Sequence, residues 1–422
     1  MDKFIIEGGK HLNGGVTISG SKNAALPIIA AALLTDEPTI LHNVPALKDI
    51  ATLVKILTHM GAKVTTSGTT MEIDPSGVRT FTAPYELVST MRGSICLLGP
   101  MLAHYGEARF SMPGGCVIGA RPIDLHIKGL SKLGIDISMD GGYIVAKTSH
   151  LKGNRVFLGG NFGSSVLATA NILCAATLAE GESLIESSSC EPEIASLAEF
   201  LKGMGASIQG EGSHLLRVQG VKKLHGNEYT IIPDRIETGT YLLAAAATRG
   251  HVTIEQCAPH HLFAVLDKME EAGVPLKTGR TTVEVLPAKH PRAIDIVTLP
   301  YPGFPTDVQA QMMAFLTLAE GMSTITEKVF PERFIHAGEL NRLGASIMLD
   351  GSKAIVKGVK KLRGAQVMAS DLRASAALVI AGLAAEGETE IARIYHLDRG
   401  YEHVTDKLTR LGASIRRVKD KA

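Results

Sequence analysis

Six times along this chain a helix-like stretch runs into a glycine, and a short β-like run follows. The sites are HMGAKV at Gly61, KLGIDI at Gly134, GMGASI at Gly205, EAGVPL at Gly273, RLGASI at Gly344 and RLGASI at Gly412. The successive spacings are 73, 71, 68, 71 and 68 residues. A unit of about 70 residues repeated six times constrains the fold more than any other feature, because one unit alone cannot bury its apolar face.

Other features keep step with that glycine. Each unit holds an Ala-rich apolar segment: LPIIAAALL, SICLLGPMLA, ANILCAATLA, YLLAAAAT, MMAFLTLA and AALVIAGLA. The third to sixth run into Gly181, Gly250, Gly321 and Gly387, which read as left-handed helix caps. Short β-like runs follow, such as SLIES, HVTIEQ, STITEK and TEIAR. Next come amphipathic helices with apolar residues three and four apart, as in ASLAEFLKGMGA and HVTDKLTRLGA. Alternating runs such as ASIMLDGSKAIVKG read as hairpins. The unit is thus strand, helix, strand, helix, then strands. Six units divide into two α/β domains of three.

The apolar share of 45% in 422 residues supports large cores, and the lack of Trp with many Ala and Gly fits closely packed buried helices. With a net charge of +1 and no basic run, nothing suggests nucleic acid as a partner, and none is expected. The start, MDKFIIEGGK, lacks the pattern of a secretory signal. No apolar run is long enough to span a bilayer, so no membrane insertion and a cytoplasmic location are expected. The five cysteines are Cys96, Cys116, Cys174, Cys190 and Cys257, with no CxxC pair and no His at metal spacing. They give no zinc site, and an odd count suits the cytosol. Cys96 and Cys174 lie in the Ala-rich segments and read as core thiols.

Cys116 stands apart, in the loop-like run SMPGGCVIGARP. Arg121, His126 and Lys128 follow it. A thiol among cations has a lowered pKa and is reactive. A second group, Ser19-Gly20-Ser21-Lys22-Asn23, precedes the first Ala-rich segment, where it forms either an anion site or a simple cap. Thr306-Asp307, Asp234-Arg235 and Asp371-Leu372-Arg373 open later helices, and Arg92 opens the second. Capping explains Asp and Thr at such places. It does not explain Arg, which the positive end of a helix dipole disfavours, so Arg92, Arg235 and Arg373 point to anions or carboxylates.

Together these residues resemble the enolpyruvyl transferase family, and within it the members that act on UDP-N-acetylglucosamine. The carrying stretches are SGSKNAALP, TMRGS, PGGCVIGARPIDLH, EPEI, IPDRIETGTY, FPTDVQAQ, DLRASAALV and DRGYEHVTDKL, spread over the whole chain. The resemblance implies a two-domain inside-out α/β barrel, each domain holding three βαβαββ repeats with helices inside and sheets outside. One domain would span 22–229, and the other 1–21 with 230–422, with the active site in the cleft between them. The implied reaction passes the enolpyruvyl group of phosphoenolpyruvate to the 3′-hydroxyl of UDP-N-acetylglucosamine, the first committed step of peptidoglycan precursor synthesis. It needs no metal and no organic cofactor.

Residue roles carry over by motif. Cys116 is the general acid and the site of a covalent adduct, and it is open to the epoxide antibiotic fosfomycin. Asp307 is the base for the sugar hydroxyl. Lys22, Arg121 and Arg399 hold phosphoenolpyruvate, with Arg92 beside them. Asn23 bonds the sugar or the tetrahedral intermediate. Arg121, Pro122, Ile123, Asp124 and Leu125 hold the uridine diphosphate. Gly163, Ser164, Ser165, Val166 and Val329 make further nucleotide-sugar contacts, and Thr306 accompanies Asp307. Asp371 and Arg373 order the site. The stretch FGSSVLATAN departs from the family, some members having Lys at the place of Gly163 and many having Gly at that of Leu167. Two alternatives stay open. A synthase of enolpyruvylshikimate phosphate shares the fold but would lack the Cys loop. A non-catalytic binding protein would be expected to lose Lys22, Cys116, Asp307 or Arg399.

Overall fold

The computed structural model describes residues 2–111, 114, 123–161, 163–288 and 290–419. Six Ala-rich segments form the inner helices. They are α1 (Lys22–Ala31), α2 (Leu98–Tyr105), α3 (Val166–Thr177), α4 (Arg235–Ala247), α5 (Thr306–Leu316) and α6 (Leu372–Ala384). These helices are apolar around nearly their whole circumference, and such a helix is stable only when surrounded by protein. Their residues are accordingly buried almost throughout.

The chain forms two compact units, residues up to Ser19 with those from Pro233 on, and Gly20 to Ile232. Each has its own hydrophobic core. In the first, α4, α5 and α6 pack on one another; in the second, α3 packs on α1 and α2. Sheets surround these helices, with one face turned inward, as in the alternating burial of Leu215–Gln219.

The third repeat shows the unit in sequence. Arg155–Phe157 pairs parallel with Glu182–Glu186, which pairs antiparallel with Leu215–Gln219, and that strand pairs with Ser207–Gln209. The fifth repeat has the same order, from Ile296–Val297 through Met322–Thr326 and Lys353–Lys357 to Ser346–Asp350. With the helices in place, the unit is βαβαββ. The expected hairpin in ASIMLDGSKAIVKG is this last pair.

Three repeats borrow a strand from elsewhere in the chain. Asp2–Glu7 inserts between Glu388–Ala392 and Ser414–Lys419 in the sixth. Asn13–Thr17 lies parallel to His251–Glu255 in the fourth. Glu228–Thr230 lies parallel to Thr39–His42 in the first. Ile231 N–H continues that pairing to His42 O, so this unit runs past residue 229 to Ile232.

The repeat glycine follows an outer helix in every unit, and all six have left-handed backbone, with φ between 82° and 109°. A side chain there would strain the backbone, so the motif is physical. The glycines after the inner helices need correction, because α3, α5 and α6 end before Gly181, Gly321 and Gly387 are reached. These three are left-handed, but in the turn into the next strand. In the fourth repeat the left-handed residue is Arg249, at φ 52°. Gly250 is required for space, since a Cβ there would lie 2.2 Å from Leu12 O.

Candidate functional site

Three aspartates stand at the inner-helix starts of residues 233–419, and they behave differently. Asp234 accepts from the N–H groups of Ile236 and Glu237, and Asp371 from those of Arg373 and Ala374. Both are helix caps. Asp307 is not, although capping was a natural reading of its position. Pro305 occupies the cap position of α5 without a side-chain bond. The Asp307 carboxylate turns instead to two guanidinium groups, Arg333 Nη1 at 2.8 Å and Arg373 Nη2 at 2.9 Å. Both arginine side chains are nearly buried, while that of Asp307 keeps 28% exposure and remains reachable. Burial works to raise the Asp307 carboxyl. The charges and hydrogen bonds of Arg373 and Arg333 outweigh it and hold the group well below the usual carboxylate range.

The carboxylate expected beside Arg373 is thus Asp307 itself. Arg373 Nη1 also donates to Tyr401 Oη at 3.2 Å, and Tyr401 Oη meets Thr240 Oγ1 at 2.8 Å. Arg235 lies over the Tyr301 ring, 5.5 Å from its centroid. Thr306 Oγ1 donates to Glu327 Oε2 at 2.9 Å and accepts from Arg333 Nη1 at 3.0 Å. Val329 N–H reaches the same Glu327 carboxylate at 2.8 Å. Four sequence-derived residues, Thr306, Asp307, Val329 and Arg373, therefore share one network. Arg333 and Glu327 complete it and were missed, because neither stands at a helix start. Arg399, half-buried, ends the 3₁₀ turn Ile394–Arg399.

Residues 20–232 carry a second group. Ser21 caps α1 by accepting from Ala24 N–H. Lys22 Nζ lies 3.2 Å from Asp49 Oδ2, with both side chains nearly buried. SGSKN therefore holds a cap and a charge at once, and Asn23 follows, half-buried. The only sequence sign of Asp49 was an acid in the first turn of the outer helix Lys48–Met60. Arg92 opens a 3₁₀ segment, Arg92–Leu97, that leads into α2 and has no side-chain cap.

Ile123 is buried, and Asp124 and Leu125 begin the helix Asp124–Lys132. Leu125 lies against the short hairpin of Gly159–Gly160 and Gly163–Ser164, its Cδ1 3.2 Å from where a Gly160 Cβ would be. Two stretches expected from the sequence to bind the nucleotide are thereby adjacent. Gly163 is left-handed at φ 98°, a backbone that suits the glycine this chain has there. Ser165 caps α3, and Val166 is the first residue of that helix.

Cys116, Arg121 and Pro122 lie outside the described residues. Of the other cations expected near Cys116, one fails. Burial first, and then the Arg92 charge, push His126 down to about 3, so it is neutral at pH 7. Its Nδ1 pairs with Asn171 Nδ2 at 2.9 Å. Lys128 Nζ sits over the Phe157 ring at 5.2 Å. The four described cysteines are all buried. Burial raises each thiol, Cys96 to about 12 and Cys257 to about 11.

Residues 6–408 match the family model of EPSP synthase (3-phosphoshikimate 1-carboxyvinyltransferase). The chain is 52% identical over 421 residues to the UDP-N-acetylglucosamine 1-carboxyvinyltransferase of Methylacidiphilum infernorum (isolate V4), with 100% of both chains covered. The chain belongs to the UDP-N-acetylglucosamine 1-carboxyvinyltransferase family. A second member, from Desulfosudis oleivorans, is 51% identical over 418 residues, covering 99% of this chain and 100% of that one. Among solved structures, the enolpyruvyl transferase NikO from Streptomyces tendae superposes with TM-score 0.90 at 25% identity, covering 99% of each chain. EPSP synthase from Acinetobacter baumannii shares the fold, with TM-score 0.75 at 17% identity, over 99% of this chain and 100% of that one. The family and these structures agree with the inside-out α/β barrel of βαβαββ repeats.

Proposed function

We propose that this chain transfers the enolpyruvyl group of phosphoenolpyruvate to the 3′-hydroxyl of UDP-N-acetylglucosamine, releasing phosphate, in the cytoplasmic synthesis of peptidoglycan precursors. The observation that carries the reading is the 52% identity along the whole chain. The shikimate alternative has only 17% identity to an EPSP synthase in its favour, which speaks for the fold alone. Among the described residues, no helix is long and apolar enough to cross a membrane.

The chemistry assigns the proton tasks. The sugar oxygen attacks C2 of phosphoenolpyruvate while C3 gains a proton, giving a tetrahedral ketal. Phosphate then leaves C2, and C3 gives its proton back. Cys116 is the proposed donor to C3. Asp307 is the proposed acceptor of the hydroxyl proton, and the arginines keep it ionised at any working pH. Such a carboxylate is a weak base. It suffices because the hydroxyl becomes strongly acidic once its oxygen bonds to C2, so transfer accompanies bond formation. Lys22, Arg121 and Arg399 are the proposed cations for the phosphate and carboxylate of phosphoenolpyruvate, with Arg92 beside them. Arg suits this because its planar fork binds such anions in two places. Asn23, Ile123, Asp124, Leu125, Gly163, Ser164, Ser165, Val166 and Val329 are assigned to the nucleotide sugar.

A phosphate-release assay tests the reading, with phosphoenolpyruvate and UDP-N-acetylglucosamine each omitted in turn. Release is expected only with both present. Release with shikimate 3-phosphate in place of the nucleotide sugar would overturn it in favour of the alternative.

A further inference from the structure

We infer that Glu327 is a positioning residue that fixes the Asp307 carboxylate through Thr306 and Arg333. The inference deepens the role given to Asp307 above and rests on it. Glu327 is fully buried, at 0% exposure. An ionised carboxylate offers about four acceptor sites, and four donors meet this one. Thr298 Oγ1 (2.6 Å), Val329 N–H (2.8 Å) and Phe330 N–H (2.9 Å) reach Oε1, and Thr306 Oγ1 (2.9 Å) reaches Oε2.

Two paths lead from Glu327 to Arg333. The first is polar. Because Thr306 gives its only proton to Glu327, its oxygen must accept from Arg333 Nη1, at 3.0 Å. The same Nη1 donates to Asp307 Oδ1 at 2.8 Å. The second is backbone. Glu327 pins the Val329 and Phe330 amides, and Phe330 O then accepts from Arg333 N–H. The turn that delivers Arg333 is therefore built on Glu327. Arg373 holds the other Asp307 oxygen from a separate helix, with Tyr401 and the charge of Asp234 beside it. Glu327 thus controls one of the two arginines on Asp307 and leaves the other in place.

Glu327→Gln separates the two paths. The amide keeps one acceptor oxygen for Thr298, Val329 and Phe330. Its NH2 faces Thr306 Oγ1, which can no longer donate to it. The variant is expected to fold with a thermal midpoint near that of the parent. Its kcat should fall by about 10- to 10²-fold, the range that misplacing a catalytic group produces. The acid limb of its pH–rate profile should move up, because a loosened Arg333 lets Asp307 rise toward the ordinary carboxylate range. Thr306→Val should reproduce the loss, and Thr306→Ser should largely restore the rate. Titration of the Asp307 carboxyl carbon by NMR, assigned with Asp307→Asn, reads the positioning without any turnover. A raised Asp307 titration in Glu327→Gln is the expected result. Unchanged titration would overturn the inference whatever the rates show. A parent protein inactive with both substrates would instead sink the proposed reaction, and the NMR measurement would still decide the positioning role.

Discussion

The two units place different residues at matching points of the same frame. In residues 20–232, Ser21 and Ser165 cap the first and third inner helices; in residues 233–419, Asp234 and Asp371 do so. The middle helix start is uncapped in both. Arg92 stands there in one unit and Asp307 in the other. Capping is the default use of a polar side chain at a helix start, and it stabilises by about 1 kcal/mol. Asp307 does not take that use, and Arg92 has no acceptor atom with which to take it, so capping accounts for neither charge. The two charges are of opposite sign, as expected if one serves a bound anion and the other a hydroxyl proton.

The largest effect is expected at Cys116. Cys116→Ser should cut phosphate release by at least about 10²-fold, the usual worth of a placed proton donor, since a hydroxyl is a far weaker acid. Cys116→Asp should keep some activity and resist fosfomycin. Mass spectrometry of the treated parent should find the adduct on Cys116 alone, because the buried thiols of Cys96, Cys174, Cys190 and Cys257 are raised and protonated. An adduct on one of those four would move the reactive thiol elsewhere.

The next effect sets Asp307 against Asp234. Asp307→Ala should slow single turnover by at least about 10²-fold, with weaker loss of nucleotide-sugar binding. Asp234→Ala should lower stability by about 1 kcal/mol and leave turnover close to the parent's. If both variants lose only stability, the contrast between capped and uncapped starts has no functional meaning.

Much of the frame was legible because it repeats. The left-handed glycine, the Ala-rich helix and the hairpin recur at fixed spacing, and each has a local physical cause. The borrowed strands were not legible from the repeat, since pairing of Asp2–Glu7 with Glu388–Ala392 joins opposite ends of the chain. In the site, Arg373 stood out because a cation at the positive end of a helix dipole calls for explanation, whereas Asp307 read locally as a cap and was singled out by the FPTD motif of the resemblance. Arg333 and Glu327 lie in a loop where neither charge is locally unusual, so only the tertiary contacts disclose them. His126 was misjudged as a cation because sequence proximity to Cys116 says nothing of burial.

Acid should separate the units by their buried titrating groups. His126 is held at about 3 by burial and then by Arg92, and His336 at about 4 by burial, against 6.5 when unfolded. Below pH 6.5 the unfolded chain binds the extra proton, so each histidine's share of stability is present above 6.5 and lost as pH falls toward its folded value. Each contributes a slope of up to about 1.4 kcal/mol per pH unit. In residues 233–419, Glu237 opposes His336. Burial raises it to about 7 despite its bond to Lys407, so the folded form gains stability as pH falls from 7 toward 4.5. Hydrogen exchange, corrected for intrinsic rate, should therefore show residues 20–232 loosening first between pH 6.5 and 5. His126→Gln should remove the difference, and loosening of residues 233–419 first would contradict these assignments.

The smallest effect tests the repeat glycine in each unit. Gly344 has φ 91° and open space where a Cβ would go. Gly344→Ala should cost only the backbone strain of a left-handed alanine, about 1–2 kcal/mol. Gly61 has φ 109°, and a Cβ there would lie 2.3 Å from Gly77 O. Gly61→Ala adds that clash to the strain, and backbone oxygen has little freedom to retreat. Thermal unfolding of the two variants should show a larger loss for Gly61→Ala, with turnover retained in Gly344→Ala. Equal losses would mean that the repeat glycine is kept for its left-handed backbone alone in both units, and that the tighter packing at Gly61 has no energetic weight.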